Sequence, residues 1–160
     1  ANLQSQFEVL TQLNDVTEIA MFSEKWNGEN LEHICRLRSL SRVDFHLSGI
    51  RNQALKHLGG LPQLAILNLE YTAIDDDGLR HVGRLSSLRE LNLAGTNITD
   101  AGLKHLRNLK NLEWLALAQT VVSEGALAAL QSHLPNTDIF FDSDEGEERE
   151  KEPATNVRNE

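Results

Sequence analysis

Asp44 and His46 lie two residues apart in a stretch of alternating polarity, and Glu70 follows His46 by 24 residues. A carboxylate beside an imidazole is the start of an acid–base pair or of a metal site. Completing either takes more. A nucleophilic triad needs a Ser or Cys against the ring, and a metal needs further ligands. No Ser, Cys or further His stands in position to supply them, so the expected role of this group is a solvated recognition surface. A second histidine set, His33, His57, His81 and His105, recurs every 24 residues, with Lys56, Arg80 and Lys104 beside the last three. Stacked imidazoles could bind a metal or titrate together, but the neighbouring cations oppose a metal, and surface filler is the expected reading. Cys35 is the only cysteine, which excludes an internal disulfide and favours a reducing, cytoplasmic compartment. With no phosphate loop, nucleophile elbow or ligand cluster, the sequence assigns no catalytic residue, no metal and no cofactor, and the chain is not expected to be an enzyme.

What positions these residues is a repeat. Leu37, Leu61, Leu85 and Leu109 are 24 apart, and the same spacing carries Leu40, Leu64, Leu88 and Leu112. It continues through Val43, Leu67, Leu91, Leu115, then Phe45, Leu69, Leu93, Leu117, then Ile50, Ile74, Ile98, Val122. Within one copy, LRELNL over 88–93 sets Leu91 and Leu93 on one side and Glu90, Asn92 and Ala94 on the other, the alternation of a half-buried strand. The run AGLKHLRNL then spaces Leu103, Leu106 and Leu109 by three, the apolar face of a short helix, with Thr99 or Asp100 where an N-cap belongs. A unit this small cannot bury both leucine faces alone, so it must stack on its neighbours. Parallel strands on one side and helices on the other follow: an α/β solenoid.

The stretch from Leu88 to Leu106, LxxLxLxxTxI followed by TDAGLKHL, resembles the leucine-rich repeat, in a 24-residue form common in bacterial, planctomycete-like proteins. The resemblance covers roughly residues 13–141. It implies a right-handed solenoid with parallel strands on the concave face and short helices on the convex face. Many leucine-rich repeats place an Asn after LxL to bridge adjacent turns. Thr72, Thr96 and Thr120 occupy that slot here, and their hydroxyls are expected to satisfy buried loop backbone. Five full repeats are expected at 13–36, 37–60, 61–84, 85–108 and 109–133, the last one residue out of step at Leu134. Half-repeats flank them: a capping helix over 1–12 and a terminal strand near 139–141. The first repeat is degenerate, with Trp26 in a column that should be buried.

The net charge is −9, of which −5 falls in residues 142–160, an acidic tail expected to be disordered. This balance argues against nucleic acid or an anionic membrane as partner, and no apolar run approaches the ~20 residues of a membrane span. The expected partner is a protein or peptide, with a basic one favoured by charge, and the chain is expected to be a monomer. The concave face is read off the strand alternation. Arg42, Asp44, His46, Asn68, Glu70, Glu90 and Asn92 form a polar patch, and Trp114 and Phe140 an apolar one beside Ala116 and Ala118. These residues are the candidate partner contacts, with Trp114 the leading one. The expected function is a non-catalytic protein-interaction module. The alternative is a sensing or targeting segment of a larger signalling protein or enzyme whose catalytic domain lies outside this chain.

Overall fold

The structure, a computed structural model, describes residues 15–142. The expected helix over 1–12 and the tail beyond 142 lie outside the described residues. Six strands of three residues each run β1 (Glu18–Ala20), β2 (Arg42–Asp44), β3 (Ile66–Asn68), β4 (Glu90–Asn92), β5 (Trp114–Ala116) and β6 (Asp138–Phe140). They form one parallel sheet in chain order. Every pairing joins residues 24 apart, as in Glu18 with Arg42 and Trp114 with Asp138. The repeat period is thus the strand register itself.

The crossovers return along the opposite side through α1 (Leu31–Ile34), a 3-10 helix (Asn52–Gly60), α2 (Asp76–Val82), α3 (Asp100–Leu103) and α4 (Glu124–His133). The helix expected to run on from Asp100 is shorter in α form than the leucine spacing implied. Beyond α3 the chain continues in turns, with Leu106 N–H donating to Leu103 O and Leu109 N–H to Leu106 O, both at 3.0 Å. A spacing of three is compatible with the 3.0 residues per turn of a 3-10 helix, although Leu79 and Val82 keep the same spacing within the α-helix Asp76–Val82. Leu55, Leu58 and Leu61 repeat that spacing, and their crossover is 3-10 throughout. The one-residue displacement of Leu134 from its column is accommodated between α4 and β6 without changing the 24-residue strand register. There Leu134 N–H donates to Leu130 O, Thr137 Oγ1 reaches Leu112 O at 2.6 Å, and β6 keeps its register.

The leucine columns close into one continuous core between sheet and crossovers. Trp26 sits at its margin, half-buried, with its ring 5.2 Å from Phe45 and its Nε1 donating to Glu29 O. Thr72, Thr96 and Thr120 donate to the carbonyls of Leu69, Leu93 and Leu117 at 2.5–2.6 Å. These hydroxyls satisfy loop backbone as expected, but inside their own turn.

Adjacent turns are joined elsewhere, at the start of each helix. Asp76 accepts from Thr99 N–H and Thr99 Oγ1 (2.9 and 2.6 Å), and Asp100 accepts from Ser123 N–H and Ser123 Oγ (both 2.7 Å). Asn52 and Asp75 make the same two-point contact one repeat earlier. The hydroxyl in each pair also caps its own helix, Thr99 Oγ1 accepting from Ala101 N–H and Ser123 Oγ from Ala126 N–H. Gly102 makes room for the clasp, because a Cβ there would stand 2.2 Å from Asp76 Oδ1. The TDAG signature is therefore a joint between repeats.

Candidate interaction face on the concave sheet

The strand alternation sends Leu67, Leu91 and Leu115 into the core and their neighbours to the concave side. The strand pairing then sets the concave side chains in rows. One row is Glu18, Arg42, Ile66, Glu90, Trp114, Asp138, and the next is Ala20, Asp44, Asn68, Asn92, Ala116, Phe140. Just past the strand ends lie Phe22, His46 and Glu70.

Much of the expected polar patch holds the backbone. Asp44, Asn68 and Asn92 each turn an Oδ1 back to the N–H two residues on, at His46, Glu70 and Ala94, all at 3.0 Å. These are Asx-turns that end the strands. Asp44 thus binds the main chain of His46, with its carboxylate oriented to that amide. The imidazole faces Glu70 instead, its Nδ1 3.4 Å from Glu70 Oε2. That distance suits ionic attraction when the ring is protonated, but Nδ1 is shielded from solvent and has no aligned hydrogen bond. The same Glu70 oxygen accepts from Asn92 Nδ2 at 3.1 Å. His46 also stacks edge-on between Phe22 and Tyr71, at 6.4 and 6.0 Å between ring centres. The sequence reading did not pick out Tyr71, which lies outside the strand alternation.

The apolar end is simpler. Trp114 is 38% exposed and Phe140 55% exposed, while Ala116 and Ala118 are buried and form the floor beside them. Arg42 and Glu90 are exposed on the same row as Trp114. Arg89, adjacent to this row, is engaged with Glu113 in a short ion pair.

Off this face, Cys35 is buried, and burial first, then the nearby Glu32 charge, pushes its thiol up to about 12. A thiol held that far from its thiolate is no nucleophile. His81 and His105 titrate below the ordinary histidine range. Partial desolvation is the leading cause for both, followed by Arg84 for His81 and Lys104 for His105. Among the described residues no group of three or more His, Cys, Asp or Glu side chains is placed to hold a metal. No described helix is long and apolar enough to cross a membrane.

A six-strand parallel sheet backed by short crossovers in 24-residue register is a repeat solenoid. A family model described as a leucine-rich repeat matches residues 84–106, the most regular copy, and no curated protein matches the sequence. Among solved structures, the chain is similar to an internalin from Listeria monocytogenes (TM-score 0.66, 20% identity, covering 84% of this chain and 36% of that one). It is also similar to a leucine-rich-repeat protein of Leptospira interrogans (TM-score 0.57, 20% identity, 82% and 38%). A third is the leucine-rich-repeat ectodomain of an Arabidopsis thaliana receptor kinase (TM-score 0.53, 22% identity, 77% and 67%). The chain thus spans little more than a third of the length of the first two. Its fold is that of a leucine-rich-repeat solenoid.

Proposed function

We propose that this chain is a non-catalytic interaction module that binds a protein or peptide on its concave sheet. The observation that carries this reading is the exposure of Trp114 and Phe140 on neighbouring strands of one face, Phe140 pairing with Ala116 two residues along the strand from Trp114. Large aromatic side chains left open beside small ones are what contact hot spots are made of. A rigid sheet also loses little ordering entropy on binding. Glu90 supplies a polar contact beside Trp114 and Arg42, His46 and Glu70 a polar patch over the earlier strands, whereas Asp44, Asn68 and Asn92 contribute chiefly by fixing the strand ends.

The test is capture of binding proteins on the immobilised full chain, compared with Trp114→Ala and with Arg107→Ala on the exposed convex side. Binding is expected to survive Arg107→Ala and to fall at least tenfold with Trp114→Ala, about 1.4 kcal/mol or more. The melting temperature of Trp114→Ala should drop only slightly, because part of the ring already faces solvent. Partners retained by Trp114→Ala and lost with Arg107→Ala would move the binding face to the convex side.

The second reading, a sensing or targeting segment of a larger signalling protein or enzyme, has its own support. One similar structure is the ectodomain of a receptor kinase, and the chain covers only 36% and 38% of two others. The reading frame surrounding this sequence in its gene separates the two readings directly.

A further inference from the structure

Resting on the concave-face reading, we infer that the Trp114 end of the sheet recognises an arginine side chain on a basic segment of the partner. Strand pairing places Glu90 on one side of Trp114 and Asp138 on the other, all three in one row and on the same face. Each neighbour is one strand spacing away, roughly 4.8 Å. Both carboxylates are exposed, and neither forms an ion pair with a described residue. The cation nearest in sequence, Arg89, is already engaged by Glu113. Arg42 stands two strands from Glu90, with Ile66 between them.

An exposed indole flanked by two carboxylates that have no ion-pair partner among the described residues is electrostatically unfinished. The ring face carries negative quadrupole density, and the carboxylates add full charges at both edges. A planar guanidinium satisfies all three at once, stacking on the ring while its fork reaches a carboxylate. A lysine ammonium matches the charge but not the stacking. Ala116 and Ala118 on the same strand are small and buried, and Phe140 on the next strand is exposed and offers a second apolar wall for the arginine stem. The net charge of −9 draws such a segment in from a distance.

The test uses the full chain and the two indole N–H resonances of the 15N-labelled protein. Trp26 serves as internal reference, since its Nε1 is tied to Glu29 O. The probes are blocked pentapeptides alternating glycine with arginine, lysine, glutamine or glutamate. The arginine peptide is expected to shift the Trp114 resonance saturably and leave Trp26 in place. The lysine peptide should bind more weakly, and the glutamine and glutamate peptides should leave Trp114 unmoved. The Glu90→Gln/Asp138→Asn double variant should weaken the arginine peptide about tenfold or more while Trp26 reports an intact fold. A glutamine peptide that shifts Trp114 as strongly as arginine would overturn the inference, as would wild-type affinity in the double variant. An arginine peptide that never moves Trp114, alongside a captured partner that still requires it, refutes the cation and keeps the face. Capture that survives Trp114→Ala refutes the face itself.

Discussion

Tyr71 holds a backbone φ of 50°, and the residues one repeat either side, Leu47 and Gly95, hold 54° and 64°. Gln119, a further repeat on, holds 55°. The fold imposes this left-handed step. Leu47, Tyr71 and Gly95 donate their N–H groups to the carbonyls of Glu70, Ala94 and Ala118 in the next repeat, at 2.9–3.1 Å. A side chain in this conformation costs about 1–2 kcal/mol, so glycine would be the easy choice at every copy. Only Gly95 takes it, and it does so under load from a neighbour. The Tyr71 ring lies over Gly95 and reaches Gln119 Oε1 at 3.1 Å, and a Cβ at Gly95 would stand 2.4 Å from Tyr71 Cδ1. Gly95→Ala should therefore destabilise the chain by about 2 kcal/mol, measured by urea unfolding. Adding Tyr71→Ala should recover part of that loss. Strict additivity of the two changes would show that the ring does not press on this position. None of this was legible in the sequence, because Leu, Tyr, Gly and Gln share no chemistry that marks a common conformation. The rows of the concave face were legible, since alternation and the 24-residue period together define them. The roles of Asp44, Asn68 and Asn92 were not: the same alternation that exposes them says nothing of the backbone amides they cap.

At the scale of the element, a helix start in one repeat is completed by the repeat before it. Of the two cap candidates, Thr99 and Asp100, Thr99 is the cap, while Asp100 is the first helical residue and instead holds Ser123 of the next repeat. The column Asn52, Asp76, Asp100 was present in the 24-residue period, but its partners are 23 residues away and only the stacking brings them together. The amide and hydroxyl of Ser123 hold the Asp100 carboxyl below the usual carboxylate range. A depressed folded pKa means that the clasp is at full strength above the unfolded value of about 3.9. It is lost as the pH falls through the folded one, because the unfolded chain takes up the proton first. Asp100→Asn should accordingly flatten the acid side of the stability profile below about pH 4, measured as the urea midpoint at each pH. Ser123→Ala should do so only in part, because the backbone amide that makes the larger contribution remains. An acid limb unchanged in both variants would show that the clasp contributes no pH-linked stability. His81 and His105, also depressed, act in the same direction at higher pH. Their share is present above the ordinary histidine value of about 6.5 and falls away below it. Substituting them with Gln leaves the Asp100 limb in place and so separates the two.

At the scale of the whole molecule, each repeat touches only its neighbours, so stability is close to a sum of repeat terms and interface terms. The central strand β4 has a neighbour on both sides, whereas β6 has one described neighbour. Leu91 is fully buried, while Ile139, its counterpart two repeats on, is only half-buried and packs at the margin of the core. Removing the same kind of bulk from the two sites should therefore have unequal effects. Leu91→Ala leaves a cavity shared by two interfaces and should cost about 3–5 kcal/mol. Ile139→Ala uncovers one interface, already partly wet, and should cost less than half of that. The difference has a functional side. If β6 loosens first, Asp138 loses its register against Trp114, and Phe140 against Ala116, while the early repeats remain folded. Amide exchange of Ile139→Ala should show protection lost at β5 and β6 and kept at β2 to β4, with binding at the Trp114 end weakened. In Leu91→Ala the loss should spread through β3, β4 and β5 together. Uniform loss of protection in both variants would mean that the solenoid opens as a single unit, and that the two ends of the concave face cannot be tuned apart.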